Sequence, residues 1–409
     1  MNNKYSITGI GLVSPIGLGF NEFTQALKTG KNGISEIESF STEKFGVKLG
    51  GEIKNLDPKA LLGPKGLRNL DRSALFLMSA TKMALDDAKL EINAANTDNV
   101  GVCTGTTFAA IGSIIDFDRE LIKEGLDFTN PALFPSTVIN AASSQVSIRF
   151  NIQGFNVTIS TGYTSSIEAI KYSLDALETK KTDIVLCGAV ETLVPPTFFG
   201  FYKMGYMAGL NGIAQSCPYD KRRNGPILGE AAVMFCIEEP EKAKLRGAKT
   251  IANISGIGSF FDAFKIGRIH PQGEGLEKAI TKALDQAGLD SGGIDYISSC
   301  ANSSQDLDKV EVKVLKRIFG SKLNKIPVSA TKSMLGETLS AAGALQITSC
   351  VAAMQEGFVP PTINYKEKDP ECDIDCVPNK AQAKKVNNAL VVSFGPGGYS
   401  SAAIVSKYQ

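Results

Sequence analysis

The stretch ISTGYTSSIEAI, Ile159–Ile170, joins two different periodicities. The residues leading into it, FNVTIS, alternate and are rich in β-branched side chains, as expected of a buried strand. Beyond it, Ile167, Ile170, Leu174 and Leu177 recur at steps of three and four, the spacing of a buried helix face. A sharp strand-to-helix turn is where many enzymes mount a nucleophile. There the helix N-terminus lowers a thiol's pKa, and backbone N–H groups can hold an oxyanion. Tyr163 occupies this turn, and a phenol with an ordinary pKa near ~10 is a poor nucleophile at neutral pH. The turn is shaped for chemistry, and its tip carries the wrong residue for it.

Outward from this turn, strand and helix patterns alternate along the whole chain, which predicts an α/β fold. YSITGIGLVSP runs from a strand into a glycine turn, and DRSALFLMSATKMALDDAKL reads as a long helix before the strand NVGVCTGT. TDIVLCGAVE is a strand-like apolar run, followed later by the strand-like TIANISGIGSF. After about Ser259 the pattern begins again: the helix GLEKAITKALDQAGL, the strand GIDYISSCA, the helix LDKVEVKVLKRIFG and the closing strand NALVVSFGPGG. VGVCTGT and LVVSFGPGG both end strands in glycine turns, one in each half. The expectation is a duplicated core with halves 1–255 and 256–409, joined without a Pro/Ser-rich linker.

At 409 residues the chain is long enough for two ordinary domains or one large duplicated unit. Its charge of +1 gives no reason to invoke nucleic acid or a membrane surface. No apolar run reaches bilayer length, and MNNKYSITGIG shows no signal-peptide pattern, so a cytoplasmic location is expected. Of eight cysteines, most lie in apolar strand-like runs and read as reduced core residues. Cys372 and Cys376 in ECDIDC lack a second pair or a nearby histidine, so no zinc site and no other metal is expected. The single histidine, His270, excludes chemistry that needs two histidines from this chain alone.

ITGIGLVSPIG, QVSIRFNIQGFNVTISTG, CPYDKRRNGPILGEAAVMFCIEE, TKSMLGETLSAAGA and VVSFGPGG stand in an order and spacing that resemble the β-ketoacyl synthases. These are the condensing enzymes of fatty-acid and polyketide synthesis, and they have a thiolase fold. The resemblance covers essentially the whole chain and implies two duplicated halves in a layered α/β/α/β/α core. It also implies a site built from an elbow cysteine, two histidines, a lysine and an oxyanion hole. Matched by position, the cysteine corresponds to Tyr163. The family's HGTSTP run reads CANSSQ, which puts Cys300 in the first histidine's place while Asp308 and Glu311 remain. KSMTGH reads KSMLGE, so Lys332 is kept and Glu337 replaces the second histidine. GFGG reads GPGG, and Pro396 has no N–H to offer an oxyanion. A Lys332–Glu337 salt bridge is expected, since a buried ammonium needs a partner, with a general-base role for Glu337 as the other reading.

With four departures in one pocket, the resemblance implies a chain length factor, the ketosynthase-like subunit of type II polyketide systems. The chain is then expected not to be an enzyme on its own. It would pair with a catalytic ketosynthase, whose cysteine carries the acyl chain, and it would shape the shared tunnel. No cofactor is expected, because the substrate arrives on the phosphopantetheine of an acyl carrier protein. Phe108 and Ile111 in TTFAAIGSIIDF, with Phe134 in NPALFPSTVINAASS, are placed at the tunnel end, with ordinary core or interface packing as the other reading of each. Those subunits commonly carry glutamine at the elbow, whereas this chain has Tyr163. Two other readings stay open: a homodimeric acyl-binding scaffold, and a decarboxylase or acyltransferase with altered chemistry. Arg222 and Arg223 in DKRRNG read as a solvated loop, or as a contact for an acidic carrier.

Overall fold

The computed structural model describes residues 5–68 and 70–408. Ten strands carry the architecture: β1 (Ser6–Ser14), β2 (Val100–Gly105), β3 (Asn156–Ile159), β4 (Ile184–Glu191), β5 (Ala231–Glu238), β6 (Ala252–Phe261), β7 (Tyr296–Ser298), β8 (Val328–Ser329), β9 (Asn388–Phe394) and β10 (Tyr399–Lys407). Eight helices matter for the site: α1 (Arg72–Asp87), α2 (Ile111–Glu124), α3 (Ala141–Phe150), α4 (Ser165–Glu178), α5 (Pro195–Lys203), α6 (Glu274–Ala287), α7 (Gln305–Phe319) and α8 (Ala342–Glu356).

The strands lie side by side in the order β8-β7-β9-β10-β6-β1-β5-β4-β2-β3. Read outward from the β6/β1 seam, each half has the same order: first strand, fifth, fourth, second, third. The directions repeat too. In the first half β2 runs parallel to β3 and β4, while β4–β5 and β5–β1 are antiparallel. In the second half β7 runs parallel to β8 and β9, while β9–β10 and β10–β6 are antiparallel. This is the duplication that the paired glycine-ended strands suggested. The second repeat opens with β6, and residues 255 and 256 both lie inside that strand.

Five layers follow from which helix covers which face. α1 and α3 cover the outer face of the first half, and α6 and α7 that of the second. α4 and α8 pack against each other between the two halves of the sheet. Such a central layer is apolar on every side, and α8 is buried from Ala342 through Met354. The two central helices meet closely because Gly343 lacks a side chain. A Cβ there would stand 2.6 Å from Ser166 Oγ, the atom that accepts a hydrogen bond from Ala344 N at 3.1 Å. The N-termini of both central helices therefore converge, and the site forms there.

The expected elements are present, with two corrections. β3 is not a buried strand. Among the described residues it forms the sheet's outer edge, paired only with β2, and none of its own residues is fully buried. Nor is DKRRNG solvated throughout: Lys221 is exposed and Arg222 half-buried, but Arg223 is buried. Arg223 is 3% exposed, ion-paired to Asp369 and 3.8 Å from Asp308, and Arg222 is paired to Asp220 at 2.7 Å. Asp308 and Asp369 are distant from Arg223 in sequence, so nothing local marks that arginine as buried. Among the described residues, no helix is long and apolar enough to cross a membrane.

Candidate active site

The turn after β3 is built by its small polar residues. Gly162 adopts φ +69°, in the left-handed region, which turns the chain away from the sheet edge. Ser165 Oγ then donates to Gly162 O at 2.7 Å and accepts from Thr161 N at 2.9 Å, closing the turn onto the start of α4. Tyr163 sits in this closed turn, and Ser393 Oγ, on β9, donates to its carbonyl at 2.9 Å. The ring lies directly against Gly395, where a Cβ would stand 2.7 Å from ring carbons. Glycine at 395 is what allows a tyrosine at 163.

Behind the ring is a buried polar cluster drawn from the second repeat. Lys332 Nζ donates to Glu337 Oε2 at 2.8 Å, the expected salt bridge, and lies 5.4 Å from the centroid of the Tyr163 ring. Glu337 also accepts from Asn302 Nδ2 at 2.7 Å and from Leu339 N at 2.9 Å. Cys300 stands 3.4 Å from Lys332 Nζ, and its thiol donates to Phe394 O at 3.2 Å. Its backbone N–H donates to Glu311 Oε1 at 2.9 Å, while Ser299 and Tyr219 hydroxyls donate to Glu311 Oε2. Asp308, on the same helix α7, accepts from Asn302 N and Tyr219 N, each at 3.0 Å. The retained acids therefore hold the loop that carries Cys300 and Asn302, and they point away from the cavity.

These environments decide which groups could react. Burial pushes the Cys300 thiol up to about 11, although Lys332 beside it favours the thiolate. A thiol that is fully enclosed and protonated is not a poised nucleophile. Burial, together with the negative charge of Glu337, raises the Tyr163 phenol well above its ordinary value. Burial opposes charge on Lys332, yet Cys300 and Glu337 together hold its pKa above 10.5. Pro396 leaves the glycine turn without one N–H, and its carbonyl accepts from Gly267 N at 3.0 Å.

In front of the ring opens a cavity of about 290 Å³. Its walls include Tyr163, Phe108, Leu339, Pro396, Phe201 and Ile266. The structure thus brings Tyr163, Pro396 and Phe108 together on one cavity, with Cys300, Lys332 and Glu337 buried behind it. Ile111 and Phe134 are not on that wall. Ile111 opens α2, and Phe134 is 60% exposed, packed on Phe117 with ring centroids 5.7 Å apart. His270 lies in the loop after β6, edge-on to Phe264 and also off the cavity wall.

Sequence reasoning missed Asn302 and Leu339, which lie between the polar cluster and the cavity, and Glu191 at the end of β4. Glu191 is 1% exposed and accepts hydrogen bonds from Thr107 N, Phe108 N and Ser340 Oγ. The available signal was a carboxylate closing the otherwise apolar strand IVLCGAVE, since buried charges are held by dedicated donors.

Comparison with known proteins bears on these observations. Residues 3–243 match the family described as Beta-ketoacyl synthase, N-terminal domain, and residues 251–366 match its C-terminal domain. The 3-oxoacyl-[acyl-carrier-protein] synthase 2 of Coxiella burnetii is 34% identical over 404 residues, 98% of each chain. The tetracenomycin polyketide synthase ketoacyl synthase alpha subunit of Streptomyces glaucescens is 33% identical over 414 residues, 98% of this chain and 96% of that one. Among solved structures, the ishigamide ketosynthase/chain length factor aligns with a TM-score of 0.91 at 28% identity, covering 99% of both chains. The expectation that the chain is not an enzyme on its own is corrected by these relatives. They are named as synthases, and they match this chain over nearly its whole length.

Proposed function

Because this chain belongs to the β-ketoacyl synthase family, we propose that it is the chain-length-factor-type subunit of a type II polyketide β-ketoacyl synthase. One observation carries the reading: the elbow is intact, and Tyr163 packs against Gly395 where the family presents a cysteine. In the proposed complex the acyl thioester forms on a cysteine of a second ketosynthase chain. This chain's cavity, walled by Phe108, Tyr163 and Leu339, shapes the space into which the product grows. The name of the ishigamide ketosynthase/chain length factor supports such a pairing. So does the surface. Among the described residues β3 has a free edge, and on α2 and the segment after it Ile122, Leu126, Phe128 and Phe134 are 60% or more exposed. A free strand edge and exposed apolar side chains of this kind suit a second chain of the same fold. The substrate is a chain held on an acyl carrier protein, and all eight cysteines are unpaired thiols, as suits the cytoplasm.

The test is co-expression with a cysteine-bearing ketosynthase of a type II polyketide system, together with that system's acyl carrier protein. A stable heterodimer is expected, with product length set by the residues lining this chain's cavity. A heterodimer whose products ignore every cavity substitution would overturn the proposal.

The relatives' names favour a second reading, acyl chemistry performed in this chain's own cavity with the Lys332–Glu337–Asn302 cluster behind it. Release of carbon dioxide from a malonyl-carrier by the purified chain, abolished by Lys332→Met, would support that reading over the first.

A further inference from the structure

Glu191 ends β4, whose eight residues are all buried, and its carboxylate reaches across to two separate walls of the cavity. Its Oε1 accepts from Phe108 N at 2.9 Å. Its Oε2 accepts from Thr107 N at 3.0 Å and from Ser340 Oγ at 2.7 Å. Thr107 and Phe108 form one wall, and Ser340 directly follows Leu339 on another. Among the described residues, no cation is bonded to this carboxylate. The charged groups on the elements around it are occupied elsewhere. Glu230, leading into β5, is ion-paired to Arg72, and Lys332 is paired to Glu337 at 2.8 Å. Asp71, which reaches Ser113 on α2, caps Ala74 N at 2.9 Å. Tyr163, on the turn before α4, carries no charge at neutral pH.

We propose that Glu191 is a positioning residue whose carboxylate clamps the Thr107–Phe108 wall to the Leu339 wall, and so sets the acyl length the cavity accepts. The specificity half of this inference rests on the chain-length reading above; the clamp itself does not. A carboxylate suits the task because two oxygens serve three donors at once, with no donor of its own to conflict with them. Burial pushes the carboxyl up to about 7, against the hydrogen bonds from Ser340, Phe108 and Thr107 that favour the ionised form. The clamp is therefore closed above neutral pH and loosens below it. Ser340 Oγ can also donate to Val190 O at 3.0 Å. When Oε2 takes up a proton, the serine hydroxyl turns to that carbonyl and accepts the new O–H, and Thr107 N keeps only the weaker, neutral acceptor.

The experiment is amide hydrogen exchange at Thr107 and Phe108, expressed as protection relative to the unstructured rate across pH 5.5–8.5 (roughly one and a half units either side of the carboxyl's value). In the native protein, protection of Thr107 should fall as pH drops through about 7. In Glu191→Gln it should be reduced roughly tenfold at pH 8 and no longer respond to pH. Ser340→Ala keeps the carboxylate and removes a bond to its ionised form, so the midpoint should move to higher pH. A purely structural role would leave no midpoint to move. In the heterodimer, Glu191→Gln should lengthen the product as Phe108→Ala does. Unchanged protection in Glu191→Gln, or in Ser340→Ala if the first variant does not fold, overturns the inference. Lost protection with native product length, while Phe108→Ala does lengthen the product, overturns its specificity half. If neither variant alters the product, the chain-length reading falls and the clamp stands.

Discussion

Replacing Glu337 by glutamine isolates the electrostatics of the site. The change keeps the shape of the side chain and removes the charge opposite Lys332, which is 3% exposed and donates to Glu337 Oε2 at 2.8 Å. Breaking a buried pair by removing one partner typically costs about 3–5 kcal/mol, because the surviving charge is left unpaired. Here the cost has an upper limit. An ammonium that cannot stay charged gives up its proton, and keeping a lysine of ordinary pKa 10.5 neutral costs about 1.36 kcal/mol for each unit of pH below that value. The limit is then roughly 4.8 kcal/mol at pH 7 and roughly 2 kcal/mol at pH 9. The sign follows from linkage. The unfolded variant holds a proton on Lys332 that the folded variant has released, so raising the pH favours folding of the variant. Urea denaturation of the native protein and Glu337→Gln at pH 7, 8 and 9 reads the difference directly. The expected result is a destabilisation of about 3–5 kcal/mol at pH 7 that falls to no more than about 2 kcal/mol by pH 9. A loss under about 1 kcal/mol, flat with pH, would refute the buried, charged pair, because that is the behaviour of an exposed one.

Three further outcomes follow from the same geometry. Tyr163→Cys in the isolated chain should condense at least about 10²-fold more slowly than a cysteine-bearing relative, because Pro396 withholds an oxyanion N–H; single-turnover kinetics within tenfold of that relative would show the proline is tolerated. Phe108→Ala should shift products of the proposed heterodimer to longer chains, as mass spectrometry would show. Its stability cost should be only about 1–2 kcal/mol, below the 3–5 expected of a core phenylalanine, since the ring is 37% exposed. Arg223→Ala should destabilise the fold by about 3–5 kcal/mol and leave carrier-protein affinity unchanged, because its guanidinium is buried on Asp369 and Asp308; a binding titration that weakens with stability intact would contradict this.

What the sequence determined by itself is local and periodic. The change from alternation to a three-four repeat around Tyr163, the glycine turns and the restart of the pattern after β6 all depend on neighbours within a few residues, so they announce the α/β elements and the duplicated halves directly. The identities at 163, 300, 337 and 396 also need no coordinates, because missing thiol, imidazole and N–H groups are facts of composition. The Lys332–Glu337 pair was legible because its partners stand five positions apart and a retained buried ammonium demands an acid. Burial is different, because it is decided by chain segments far apart. Arg223 reads as a surface charge until Asp369, 146 residues away, folds over it. β3 reads as a core strand until the sheet order leaves it at the edge. Glu191 reads as the end of a strand until Phe108 and Ser340, 83 and 149 residues distant, close on its two oxygens. Only the tertiary structure could assign those partners. A carboxylate or guanidinium on its own specifies that it must be satisfied, not by which residue, and the close approach of α4 and α8 at Gly343 brings the two repeats' contributions to one cavity.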